Sequence, residues 1–263
     1  MATDFDAGYC VAPFDQLVRE CPDATVYPPS AFRTEWGPVF HRGRLDGSAR
    51  VLVIGQDPAQ HEEMARRILI GVAGHRTQGL LGKLGVDRSY VMVNTFLYSV
   101  YGQQGGTQHQ GDPGIVAYRN RWLDALLVGS GVEAVIALGA LADGAWQAWK
   151  ATPSGHGSSV AYAHVTHPTA PRTPQDTTAL LHNWNAALQA LHPTITHPDR
   201  SVPLTLYGDA FTPADLVPIP AADLPAGSPP WMLGADTWAA RTGATAQEKR
   251  YTITLTVPAA FQS

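Results

Sequence analysis

The stretch VLVIGQDPAQH, residues 51–61, runs four β-branched or leucine residues into a glycine, an amide, a carboxylate and a proline. Its apolar part predicts a buried strand, because a strand covered on both faces shows no polar alternation. Gly55-Gln56-Asp57-Pro58 ends that strand and sets an acid where the backbone leaves the core. YVMVN (90–94), EAVIALG (133–139) and VAYAHVTH (160–167) have the same character. Helical stretches separate them: roughly 61–84 with a glycine interruption at 71–74, then 115–128 and 141–149, with 177–191 after the last strand. Such alternation predicts a three-layer α/β/α sandwich around a central four-stranded parallel sheet. Right-handed crossovers bring all four strand C-termini to one edge, where open α/β sheets bind ligands.

Outward from this core the signals weaken. Residues 1–50 read as a mixed cap, with a short helix in PFDQLVREC and a loop or edge strand in WGPVFHRGRL. The α/β domain is expected over 1–194 and a Pro-rich extension packed on it over 195–263. Residues 203–230 hold seven prolines, and YTITLTV (251–257) alternates like an exposed or edge strand. No internal repeat is visible.

The 263 residues are 44% hydrophobic, as in an ordinary folded protein. No stretch approaches the ~20 continuous apolar residues that span a bilayer. The start, MATDFDAGYC, has acids and no cationic region, so a secretion signal is not expected. Cys10 and Cys21 alone cannot supply a disulfide framework or the four thiolates of a zinc or iron–sulfur site. A reduced, cytoplasmic setting is expected. Net charge is −4, which does not favour a nucleic-acid partner. From Arg33 to Arg121, however, eleven Lys/Arg face seven Asp/Glu, a balance of +4, with −8 elsewhere. That basic middle could grip phosphates or be no more than a solvated face.

At the strand ends stand Gln56-Asp57-Pro58, Asn94 and Thr166-His167-Pro168-Thr169. Each has an ordinary reading alone: Asp57 as a helix cap, Asn94 as a turn residue, His167 as a satisfied core histidine. An acid, an amide and an imidazole from three strands on one edge are harder to read so.

GQDP after the first strand, a strand ending in Asn94 and a last strand ending in HPT together resemble the uracil-DNA glycosylase superfamily, over roughly residues 36–190. LIGVAGHRTQGLL (69–81) is similar to a VGRAG-containing stretch of its iron–sulfur branch. VIALGALADGAW (135–146) is similar to the family's third strand and following helix. The chain is a mosaic: its first motif resembles the classical branch, its layout the iron–sulfur branch without the four cluster cysteines. The resemblance implies a monomeric, cofactor-free and metal-free glycosylase acting on DNA that contains uracil or abasic sites. It implies Asp57 stabilising an oxocarbenium-like sugar and orienting water, and His167 holding the uracil anion. Asn94 would read the Watson–Crick edge of a flipped base, with Gln56, Pro58, Ala59 and Leu69 or Ile70 around it. In HPTAPRTP (167–174), Thr169 becomes a phosphate ligand, and Pro171 or Arg172 the wedge that fills the vacated stack.

Two departures stand out. Ala59 occupies the position of a tyrosine that shuts out thymine's methyl, so tolerance of 5-substituted uracils is open. Leu69 or Ile70 stands where a stacking phenylalanine is found; Phe96 and Tyr98 are possible substitutes and equally core residues. His109 lies where one offshoot carries a histidine that attaches to the abasic sugar, but GQQGGTQHQGDPG also reads as a plain surface loop.

Other chemistries fit less well. HEEMA (61–65) lacks the second zinc histidine, and GLLGKLG (79–85) has Leu84 where a phosphate loop needs Ser/Thr. No G-x-G-x-x-G follows the first strand, and neither Ser99 nor Ser154 sits in a nucleophile elbow. A non-catalytic or covalent binder of uracil or abasic DNA, and a nucleoside hydrolase, remain alternatives.

Overall fold

The computed structural model describes residues 9–102, 105–234 and 237–262. Five strands form the main sheet: β1 (His41–Gly43), β2 (Val51–Gly55), β3 (Tyr90–Asn94), β4 (Ala134–Leu138) and β5 (Ala161–Val165). Their order is β1-β3-β2-β4-β5, with β2, β3, β4 and β5 parallel. Side chains alternate across it. Leu52 and Ile54 share one core with Val91, Val93, Val135 and Ala137, whereas Val51 and Val53 share another with Tyr90, Met92, Ala134 and Ile136.

The helices are α1 (Phe14–Arg19), α2 (Gln60–Ala65), α3 (Gly71–Lys83), α4 (Gly105–His109), α5 (Pro113–Leu127), α6 (Ala140–Lys150), α7 (Pro153–His156), α8 (Pro174–Leu191) and α9 (Ala246–Tyr251). Trp122 and Leu123 of α5 with Trp146 and Trp149 of α6 close the first core. Leu80 and Leu81 of α3 with Leu181, Trp184 and Leu188 of α8 close the second. Helices thus surround a mostly parallel sheet, compatible with α/β/α layering. No helix among the described residues is long and apolar enough to cross a membrane.

The sheet has a fifth strand beside the four parallel ones: β1, within the stretch read as a loop or edge strand, pairs antiparallel with β3, from His41↔Val93 to Gly43↔Val91. His-Arg-Gly carries no apolar run, so its burial depends on distant partners. Arg42 is fully buried, donating to Ile68 O, Gln78 Oε1 and the Tyr90 hydroxyl, each at 3.1 Å, and pairing with Asp223 at 3.0 Å.

Helix boundaries also shift. The break expected at 71–74 falls at 66–70, where Arg66 and Leu69 take left-handed φ of 57° and 52°, and Gly71 starts α3. The helices α5 and α8 begin earlier than expected, on Pro113 and Pro174, since a proline suits the first turn of a helix. Thr173 and Asp176 cap α8 reciprocally.

Residues beyond 195 form a two-stranded antiparallel sheet, β6 (Ala239–Arg241) and β7 (Ile253–Leu255), and 3-10 turns. Ile219, Leu224, Trp238 and Ala239 bury against Ala65 and Ile70. Much of the basic middle is consumed by the fold. Asp223 neutralises both Arg42 and Arg44, the latter at 3.2 Å, while Arg66 donates to the backbone carbonyls of Trp36 and Pro38. These three arginines therefore add little to any surface patch, whereas Arg88 and Arg121 remain exposed.

Candidate active site

The parallel register brings the ends of β2, β3 and β5 and the start of α6 to one edge of the sheet. A Cβ on Gly55 would stand 2.3 Å from Asn94 Oδ1, so glycine lets β2 end against the Asn94 amide, with Leu69 Cδ1 close by. The N–H groups of Thr95 and Phe96 donate to the carbonyls of Gly55 and Gln56, both at 2.9 Å. This ladder holds Gln56 and Asp57 in a fixed register.

Asp57 Oδ2 accepts the Val100 N–H at 2.9 Å. Arg33 braces the same segment, donating to Ser99 Oγ at 3.2 Å and to Val100 O. Asp57 and Gln56 wall a cavity of about 410 Å³ with Arg33, Val100, Gly102, Gly106 and Leu141. That volume lies in the range of small-ligand pockets. Burial pushes the Asp57 carboxyl up to about 6, while the Val100 N–H and the Arg33 and Arg241 guanidinium groups pull it down.

Among the described residues that wall includes neither Asn94 nor His167; Asn94 lines a separate, smaller cavity, and His167 stands near Gln56 across Gly139. Asn94 is buried and reaches the site through Gly55. His167 reaches it through Gly139, whose φ is +87°; a Cβ there would meet Gln56 Nε2 at 2.5 Å and His167 Cβ at 3.2 Å. On the helix side, the Asn183 amide oxygen accepts the Thr166 N–H at 2.7 Å, and the Trp184 indole donates to Thr166 O at 2.9 Å. Burial pulls the His167 imidazole down to about 4, so it is neutral at pH 7. The Thr169 N–H donates to His167 Nδ1 at 3.4 Å, and Thr169 Oγ1 lies 3.2 Å from the same atom. An Nδ1 that accepts leaves the proton of the neutral ring on Nε2.

Sequence reasoning missed several contributors. Glu62, in the segment tested only as a zinc helix, accepts the Ala59 N–H at 3.0 Å and the Ile70 N–H at 3.1 Å. It ties the turn after β2 to the strained Leu69, and burial raises its pKa, with the Asp57 charge adding to the rise. Glu63 pairs with Arg241 of β6, and burial pushes its carboxyl up to about 7. His61 meets Trp238 edge-on at 4.7 Å. The spacing from Ala59 to Glu62 resembles half a capping box and was a usable signal; Arg33, Val100 and Arg241 left none.

The remaining expected residues scatter. Pro58 is buried and Ala59 exposed at the turn. Leu69 lies beside Gly55 and Asn94, whereas Ile70 turns into the core shared with the extension. Phe96 and Tyr98 are core residues. Thr169 and Arg172 are exposed and Pro171 half-buried; the Arg172 N–H donates to Asp176 Oδ2 at 3.1 Å. His109 ends α4, with Nδ1 2.6 Å from Asp112 Oδ2 and its ring 5.3 Å from Phe32. Of that glutamine-rich loop, Gln103 and Gln104 lie outside the described residues. No group of three or more His, Cys, Asp or Glu among the described residues could hold a metal ion.

No protein-family model matches the chain, and no curated protein matches it.

Proposed function

We propose that the chain is a monofunctional glycosylase that hydrolyses the N-glycosidic bond of uracil in DNA and leaves an abasic site. The observation that carries this is the ionisable Asp57 carboxylate, with Gln56, on the wall of a cavity of about 410 Å³ at the strand ends, where Asn94 packs against Gly55 and His167 lies near Gln56 across Gly139. Cleavage develops positive charge on the sugar and negative charge on the uracil ring. Asp57, ionised above about pH 6, stabilises the sugar cation and orients the attacking water. His167, neutral with its proton on Nε2, donates to uracil O2 as the anion forms. Asn94 donates to O4 and accepts from N3–H; cytosine presents the opposite pattern and leaves the buried amide facing unpaired groups. The base must leave the duplex to reach these groups.

The accompanying architecture is a three-layer α/β/α sandwich whose extension closes one flank of the site. The setting is a cytoplasmic monomer, with uracil-containing or abasic DNA as partner and no cofactor. Thr169 serves first to orient His167, and Pro171 and Arg172 face the strand. The deciding experiment incubates a uracil-containing oligonucleotide with the chain and cleaves abasic sites with alkali. Wild type yields strand breaks; Asp57→Asn, Asn94→Ala and His167→Ala yield far fewer. Four identical outcomes refute the assignment. Running thymine and 5-substituted uracils in parallel reads the consequence of Ala59.

A further inference from the structure

Behind Asn94, between β3 and α5, lies a second cavity of about 10 Å³, walled by Tyr27, Phe40, Asn94, Tyr118, Arg119 and Trp122 among others. Arg119 is 4% exposed and Trp122 3% exposed. Among the described residues, neither the three guanidinium nitrogens of Arg119 nor the indole nitrogen of Trp122 has a hydrogen-bond partner. The indole N–H is near enough to the Tyr118 oxygen to lower that phenol's pKa, while the Tyr118 hydroxyl donates its own proton to Leu17 O at 2.6 Å. Burial pulls Arg119 down to about 10, which leaves it charged at neutral pH. Tyr27, which acts on it in the opposite sense, is a buried phenol whose own pKa is raised, so it is neutral there.

A buried guanidinium and an indole N–H are donors only. Around Arg119 no carboxylate among the described residues supplies the balancing charge. A water would accept a hydrogen bond and leave the charge uncompensated. The cavity admits about one water-sized particle, so phosphate, sulfate and carboxylates are too large. We propose that Arg119 and the Trp122 indole hold one monatomic anion of the halide class in this cavity, as the counter-charge of a guanidinium that the fold has buried. The ion ties α5 to the end of β3 beside Asn94. It is independent of the glycosylase reading.

The test compares thermal unfolding of the full chain in sodium chloride or bromide with sodium gluconate at equal ionic strength. A ligand bound only by the folded state raises the melting temperature with its concentration. Wild type melts higher in halide, Arg119→Leu loses the dependence, and Trp122→Phe needs about tenfold more halide for the same rise. Crystals of the wild-type chain soaked in bromide give an anomalous peak within hydrogen-bonding distance of the Arg119 guanidinium, a readout that stands even if Arg119→Leu does not fold. Equal melting in halide and gluconate, or bromide crystals without that peak, overturns the proposal.

Discussion

Asp57 keeps its proton up to about pH 6 because burial outweighs the Val100 N–H and two nearby guanidinium groups. The proposed reaction needs the carboxylate, so kcat/KM for uracil release should rise through pH 6 and then level. His167 contributes no second limb above pH 5, since its imidazole is already neutral. Asp57→Asn should lose about 100- to 10,000-fold in rate and the pH 6 limb with it, measured from pH 5 to 8. Stability moves the other way. Between an ordinary carboxylate pKa and 6 the folded chain binds more protons than the unfolded one, so wild type loses stability as pH rises through that window. Asp57→Asn should therefore melt above wild type at pH 7.5 and beside it at pH 4. Gly55 makes a matching case without charge. Gly55→Ala drives a methyl into the Asn94 amide and should cost uracil cleavage far more than it lowers the melting temperature. Asp57, Asn94 and His167 could be picked out beforehand because each ends a strand of plain apolar pattern. Arg33 and Val100 could not, since their nearness to Asp57 comes from a loop closing back on the sheet.

Among elements, β2, β3 and β4 were readable because strands buried on both faces must be apolar throughout, whereas β5, an edge strand with His164 exposed, was readable from the rest of its apolar run. The turn from β2 to α3 was not, because side-chain bonds rather than periodicity set its course. Glu62 accepts two backbone N–H groups eleven residues apart and so holds Leu69 at a positive φ beside Asn94. Glu62→Ala leaves the buried Ile70 N–H unpaired, while the exposed Ala59 can turn to water. The expected loss is about 1–3 kcal/mol by urea unfolding. Glu62→Gln, which retains one acceptor oxygen, should recover part of it. If Leu69 forms one wall of the base pocket, the Ala variant also raises KM for uracil DNA more than it lowers kcat.

Across the whole molecule, burial of β1 depends on a carboxylate about 180 residues downstream. Asp223 is the shared counter-ion of Arg42 and Arg44 and also accepts the Tyr90 hydroxyl, in a site closed to water. Two cations around one anion make the cost of substitution asymmetric. Arg42→Met removes one cation and leaves Asp223 paired with Arg44. Asp223→Asn keeps the shape and one acceptor but leaves two buried guanidinium groups without the negative charge they share. Breaking a buried pair in this way costs about 3–5 kcal/mol, a large share of a typical domain's stability. Urea unfolding should therefore place Asp223→Asn well below Arg42→Met, and equal midpoints would show that the arginines find other partners. The same logic governs truncation. A chain ending at residue 194 loses Asp223, Trp238 and Arg241 together, and should lose cooperative unfolding by circular dichroism before any effect on DNA can be read. Loss of activity on deleting residues 195–263 would then report an uncompensated β1, not a DNA contact in the extension, and the point variants separate the two.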